Sequence, residues 1–393
     1  MKKATTYSFF ASLRMAILAL IALGGLTMCG KNEVVAHEED PWTALTGDQP
    51  ITFTSVTSGP ATKTTSPLPT GTTFGVFASF QQGEIGSGTP ASGSAASFTP
   101  NYMYNEDVHY NAGPSYSYAP IKYWPNNQEN TISFWAYSPY TTDTEGFLKI
   151  HGTGTDYSNT STCIPDIHFT SDGKTDLMVT HLDESAPYVV KDLSKPAVSG
   201  TVDLLFHHLL SRVVFHFVKV EDDEDVYEVR ITNVSIQGIY LTADHPGDPS
   251  GSWSDWSNSG SLPVYADLTP DDLTDNLVVP KAPGTSAETD SDRAVMPIPQ
   301  TLTERDNAAI VISYAVFSTS DGSLLNSKQG VFPIHGLHDG WVHPAGWDQN
   351  YQYTYNVSIK PTSGGNPIVF SASISPWSDE NDPDNYGYIP IVQ

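Results

Sequence analysis

The sequence predicts an all-β protein, two tandem β-sandwich domains behind an export signal. Three observations carry that expectation. Strand-favouring residues are abundant, with 20 Tyr, 16 Phe and 8 Trp beside many Thr and Ser. The 29 Pro and 30 Gly suit a chain rich in turns and loops. No heptad and no helix-period apolar stripe persists beyond a few turns, whereas strict period-two alternation does.

The first segment, 1–28, reads as a signal. Lys2, Lys3 and Arg14 supply positive charge, and Met15–Leu26 is an apolar run of about a dozen residues, short for a bilayer span. It ends Leu26-Thr27-Met28-Cys29-Gly30, which resembles a bacterial lipobox apart from Met28, where a small residue is usual. Acylation of Cys29 would hold the chain on a membrane, since each buried methylene is worth about 0.8 kcal/mol. With Cys29 acylated, Cys163 has no disulfide partner, and two cysteines cannot build a thiolate zinc site. Residues 29–50 are polar and unpatterned, a tether.

The strands follow in order. "ITFTSV" (51–56) comes first and "FGVFASF" (74–80) next, with a Gly/Ser/Ala loop over 82–98. "TISFWAY" (131–137) and "AIVISYAVF" (309–317) are uniformly apolar, as central strands are. "VDLLFHHLLSRVVFHFVKV" (202–220) reads as one long strand or two joined at a bend, because its second half is β-branched and aromatic. In "YQYTYNVSIK" (351–360), Tyr351, Tyr353, Tyr355, Val357 and Ile359 alternate with polar residues, and "FSASIS" (370–375) repeats the device. "KDLSKPAVSG" (191–200) is the linker candidate, which sets the domains at 51–195 and 198–393.

Composition excludes several functions. There are 18 Lys plus Arg against 44 Asp plus Glu, a net charge of −26 that disfavours nucleic acid and anionic lipid surfaces. A nucleophile elbow, HExxH, a P-loop and a dinucleotide fingerprint are all missing, so no catalytic residue is assigned and no enzyme or cofactor is expected. His207, His208 and His216 invite a metal, but on one strand His208 and His216 lie about 26 Å apart, so no metal is expected either. The acidic stretches 221–228 and 378–387 lack EF-hand spacing and read as solvated turns. Trp253 and Trp256, in "SWSDWSNSG" (252–260), are candidate platforms for stacking on a glycan, or anchors tucked into the fold.

Several stretches taken together resemble the fimbrillin-like family of Bacteroidales, the type V pilins. They are the lipobox-like signal, "ITFTSV", "ATKTT", "FGVFASF", "YMYNEDVHY" (102–110) and "IKYWPNNQENTISFWAYSPY" (121–140). "TDLMVT" (175–180), "LLFHHLLSRVVFHF" (204–217), "YQYTYNVSI" and "ISPWSD" (374–379) complete the order. The resemblance implies two transthyretin-like β-sandwiches and a structural subunit, stalk or tip, of a surface fimbria. It implies export as an outer-membrane lipoprotein, removal of the N-terminal segment by a trypsin-like protease, and polymerisation with other fimbrial subunits by donor-strand exchange.

Family cleavage commonly follows Arg, yet beyond the signal this chain has no Arg before Arg212. Lys63, the only Lys or Arg between Lys31 and Lys122, is therefore the expected site. The tail "NYGYIPIVQ" (385–393) is the candidate donor strand, with Ile389 and Ile391 on one side and Tyr386, Tyr388 and Val392 on the other. An ordinary terminal edge strand fits the tail equally well. A surface glycan-binding lipoprotein is the alternative function.

Overall fold

The computed structural model describes Thr46 to Pro390, except 59–64, 70, 83–100, 112–114, 143–147, 151–163, 220–225, 266–276, 280–286, 289–293, 303–306, 335–336, 339–340, 343–344, 360–367 and 377–388. Among the described residues every regular element is a strand, so the all-β expectation holds.

The N-terminal half is built on an eight-stranded sheet. Its order is Thr65–Pro67, Thr52–Ser58, Thr201–His208, Met178–Thr180, Asn130–Ser138, Thr73–Gln82, Met103–Asn111 and Ser115–Ser117. Asn130–Ser138 is central and is buried at every position, which is why "TISFWAY" reads as uniformly apolar. Phe134 faces one side, where it meets Phe53 and Trp124 at 5.9 Å each. Trp135 and Tyr137 face the other. A two-stranded sheet, Thr46–Pro50 with Tyr123–Pro125, lies beside it. Thr46–Pro50, the end of the segment read as a tether, is thus a paired strand.

The C-terminal half is a sandwich of a seven-stranded and a five-stranded sheet. The first runs Leu324–Pro333, Ala309–Ser318, Tyr227–His245, Ile167–Thr170 and Leu148–Ile150, with Ser254–Tyr265 and Leu277–Val278 on the other edge of the long strand. The second runs Ala287–Glu288, Arg212–Lys219, Tyr351–Ile359, Ile368–Pro376 and Ile389–Pro390. Between them lies one apolar core that includes Phe215, Phe217, Ile231, Ile312, Tyr353, Tyr355 and Val357. The alternation in 351–359 is thus observed: Tyr353, Tyr355, Val357 and Ile359 point inward, while Tyr351 is 41% exposed at the strand start.

The 202–220 run is two strands in different sheets. The chain crosses at Leu209–Ser211, all three buried. Thr201–His208 thus lies in the eight-stranded sheet, beyond the 195–198 boundary read from the sequence. Lys191–Gly200 reads as a linker because it is polar and carries Pro196, but its backbone is docked. Ile132 and Leu193 exchange two hydrogen bonds of 2.9 Å, and Phe134 N–H donates to the Val190 carbonyl at 2.8 Å. The other mixing is Leu148–Ile150 and Ile167–Thr170, which precede that boundary yet pair into the C-terminal sheet.

Those crossings join the halves through a second core: Phe77, Trp135, Tyr137, Val179 and Leu182 from one side, Ile167, Phe169, Ala243, Trp253 and Ile298 from the other. The Trp135 indole N–H donates to the Gly247 carbonyl at 2.8 Å, and Trp253 donates to the Leu209 carbonyl at 2.9 Å. The long strand reaches the joint through a bulge at Gly238, whose φ of +70° favours glycine and where a Cβ would lie 2.1 Å from the Asn307 carbonyl oxygen.

His245 packs in this joint at 4.9 Å from Trp253. Its Nδ1 accepts from the Gly247 N–H at 3.2 Å, and burial holds its pKa down at about 4. The folded protein therefore favours the neutral ring. That contribution is complete above the unfolded pKa near 6.5 and is lost as pH falls from there toward 4, by about 3 kcal/mol in full. Burial also lowers His207, although Glu184 lies 2.7 Å away, so it acts in the same direction. Urea midpoints should fall between pH 6.5 and 4.5, and His245→Asn should flatten that dependence. An unchanged pH profile in the variant would contradict the assignment.

Candidate functional site: the ITFTSV strand and its groove

Alternation sets the chemistry of this strand. Ile51, Phe53, Ser55 and Thr57 point inward and are buried, whereas Thr52 is exposed and Thr54 and Val56 are half-buried. The backbone runs parallel to Thr201–Phe206 in unbroken register, Thr52 opposite Thr201 and Phe206 opposite Thr57. A parallel neighbour so distant in sequence is joined by no hairpin, so only the ladder and the side chains hold the two together. On the solvent face the Thr52 and Thr201 hydroxyls meet at 2.9 Å, and the Thr54 hydroxyl donates to Asp203 at 2.5 Å.

The inward face fills an aromatic pocket. Phe53 is 2% exposed and stands edge-on to Phe74 at 6.2 Å and Phe134 at 5.9 Å, with Tyr118 at 5.6 Å. Val202, Leu204 and Phe206, all buried, complete the floor. The Tyr118 hydroxyl donates to the Ile51 carbonyl at 3.0 Å. Burial pushes its pKa up to about 12, so it stays a donor at any physiological pH.

The entry to the groove is equally defined. Ile51 N–H donates to the Lys122 carbonyl and Thr52 N–H to the Gly200 carbonyl, both at 2.9 Å. The Trp124 indole N–H also donates to Gly200, at 3.0 Å. A Cβ on Gly200 would lie 2.0 Å from the Pro50 carbonyl oxygen and 2.9 Å from Trp124 Nε1. Gly200→Ala should therefore destabilise the protein by about 1–3 kcal/mol, read as a lower urea midpoint, and should loosen this strand. A wild-type midpoint would show that the entry yields freely.

Beyond Ser58 the described chain resumes at Thr65–Pro67, which pairs antiparallel with Val56–Ser58. Lys63 belongs to the intervening 59–64, outside the described residues, as do Cys29, Cys163, Tyr386, Tyr388, Ile391 and Val392. Of the donor candidate, the backbone of Ile389–Pro390 pairs with Ser373 and Ile374 at the edge of the five-stranded sheet.

The two tryptophans separate. Trp253 is 5% exposed, packs on Phe169 at 6.2 Å and belongs to the joint, so it is an anchor and offers no face to a sugar. Trp256 is 41% exposed, with its indole N–H donating to the Pro299 carbonyl at 3.2 Å. His207 and His208 each meet a carboxylate, Glu184 at 2.7 Å and Asp176 at 2.9 Å, while His216 lies in another sheet. Among the described residues no group of three or more His, Cys, Asp or Glu is placed to hold a metal ion.

The residues that line the groove, Tyr116, Tyr118, Trp124 and Gly200, were not singled out from the sequence as a site. "SYSY" at 115–118 carried a signal, two tyrosines at period two beside a strand.

Comparison with known proteins fits this architecture. A fimbrial protein from Bacteroides vulgatus has the same fold at a TM-score of 0.57 and 18% identity, over 84% of this chain and 100% of that one. A candidate cell-adhesion protein from Bacteroides uniformis is 12% identical with a TM-score of 0.46, over 84% of this chain and 99% of that one. No curated protein matches the chain. The fimbrillin-like profile matches residues 61–377, and the chain belongs to the fimbrillin-like family.

Proposed function

We propose that this chain is a structural subunit, stalk or tip, of a cell-surface fimbria, and that the ITFTSV strand is its exchangeable element. In this reading the precursor is exported and lipidated on Cys29, which holds it in outer-membrane lipid. A trypsin-like protease cuts at Lys63, and Thr52–Ser58 leaves with the segment before it. Its departure opens a row of amides and carbonyls on Thr201–Phe206 and an apolar groove floored by Phe74, Phe134 and Phe206. Another extended segment can fill that space. A head-to-tail contact of this kind does not close, so it propagates as a filament. The tail 385–393, with Tyr386, Tyr388, Ile389, Ile391 and Val392, is the segment offered to the next subunit.

The observation that carries the reading is the seating of Thr52–Ser58 in a parallel ladder next to the Lys63 connection, in a chain of the fimbrillin-like family. Trp253 is buried, which leaves Trp256 and the tyrosine-rich loops as stacking platforms for the alternative, glycan binding. Intact mass of the protein recovered from surface filaments tests the proposal. A polypeptide beginning at Thr64 without acyl groups supports it. An acylated, full-length chain in the filament body contradicts it.

A further inference from the structure

The inward row of the ITFTSV strand is two-toned. Ile51 and Phe53 are apolar, Ser55 and Thr57 carry hydroxyls, and all four are buried. The Ser55 and Tyr116 hydroxyls meet at 2.5 Å. Tyr116 lies in Ser115–Ser117, the last strand at the far end of the eight-stranded sheet, so this bond, with that of Tyr118 to Ile51, draws that end toward the Thr52–Ser58 strand. The Tyr116 ring is fixed without help from Ser55. It stacks on Tyr110 at 4.9 Å and stands edge-on to Phe74 at 5.6 Å. Once Thr52–Ser58 departs, the Tyr116 hydroxyl remains aimed into a groove whose floor of Phe74, Phe134 and Phe206 is apolar.

The occupant that suits such a groove is a strand with a small hydroxyl in register with that phenol. The chain's own tail, NYGYIPIVQ, contains neither Ser nor Thr. Whichever face it turned inward, Tyr386, Tyr388, Pro390 and Val392 or Gly387, Ile389, Ile391 and Gln393, no small hydroxyl would reach Tyr116. We propose that Tyr116 is a donor-selecting residue: this groove takes its strand from a different subunit that carries Ser or Thr at the Ser55 position, not from another copy of this chain. The inference rests on the strand-exchange reading and narrows it to a heteropolymer at this contact. The chain's own tail then serves a neighbour whose groove lacks the hydroxyl.

The test uses full-length protein nicked by trypsin after Lys63 and freed of the released segment. Fluorescent peptides are titrated by anisotropy: the native sequence ITFTSVTS, the same peptide with Ser55→Ala, and NYGYIPIVQ. Replacing the Ser55 hydroxyl by hydrogen removes the bond without adding bulk and leaves the phenol facing hydrocarbon. The native peptide should therefore bind roughly three- to tenfold tighter than the alanine peptide, and the tail peptide should bind more weakly than either. Tyr116→Phe keeps the ring contacts and removes one oxygen, so the protein stays folded and the Ser-over-Ala preference should vanish. Exchange of peptides with equal affinity for Ser and Ala, a preference that survives Tyr116→Phe, or tightest binding of the tail overturns the selection while leaving exchange intact. Failure of every peptide to enter overturns the exchange reading and the selection with it.

Discussion

Phe53→Ala should lower the stability of the uncleaved protein by about 3–5 kcal/mol, the range for emptying a buried aromatic site. Phe53 is 2% exposed, and its ring touches Phe74, Phe134 and Tyr118, each fixed in turn by a different strand or loop. Those neighbours cannot close on the vacancy together, because Phe134 is held by Trp124 and Phe74 by Phe206 at 5.4 Å. The cost therefore falls near the upper end of the range. The matching control on the other face is Thr54→Ala, which loses one hydrogen bond to Asp203 and should cost about 1 kcal/mol. Urea unfolding followed by tryptophan fluorescence separates the two. A loss below about 1 kcal/mol for Phe53→Ala would mean that the aromatic pocket does not retain the strand. The same variant should release its nicked N-terminal segment faster than wild type, linking the pocket directly to the assembly step.

Trp253→Ala should be as costly, about 3–5 kcal/mol, and Trp256→Ala should stay within about 1 kcal/mol. The two residues are three positions apart in one Ser-rich stretch, Trp253 just before the strand Ser254–Tyr265 and Trp256 within it, and sequence alone treats them alike. Burial separates them. Trp253 fills the joint between the halves, with Phe169 and His245 against its ring and the Leu209 carbonyl on its indole. Removing it opens a cavity where two sheets meet, so the halves should lose their common unfolding transition. Coincident melting of both halves in Trp253→Ala, with a near-native midpoint, would contradict that role. The comparison also decides how a sugar-binding assay is read. A binding loss in Trp253→Ala follows from a damaged core, whereas a loss in Trp256→Ala, at wild-type stability, would point to a surface platform.

The parts of this fold that were legible in the sequence are those where burial imposes a period. The 351–359 strand is wet on one side and dry on the other, so its alternation survives in the residue types. Asn130–Ser138 is dry on both sides and loses it, but its uniform apolarity still marks a central strand. The passage of the chain between sheets is hidden for a related reason. Lys191–Gly200 is polar on the outside, yet its main chain is pinned by backbone bonds that leave no trace in side-chain chemistry. The crossing at Leu209–Ser211 looks like the interior of a strand because it is buried in the joint. The groove was legible only in part. "ITFTSV" announces its buried face, but its partners come from residues 74, 116, 118, 134 and 202–206, and no local pattern brings those together. Gly200 is the sharpest case: nothing in "AVSG" says that an indole and a carbonyl close on that one position.

The central claim is that Thr52–Ser58 is replaceable, and a reversible lock tests it most directly. Thr54 and Asp203 are register partners on the solvent face of the parallel ladder, at a neighbour spacing of about 5 Å, within disulfide reach. The double variant Thr54→Cys, Asp203→Cys is oxidised, nicked after Lys63 and offered a labelled ITFTSVTS peptide, before and after a reductant. The account predicts no peptide uptake while the lock is closed and uptake at the wild-type level once it is reduced. Equal uptake in both states, or none in either state while the nicked wild-type protein also takes up nothing, would contradict it.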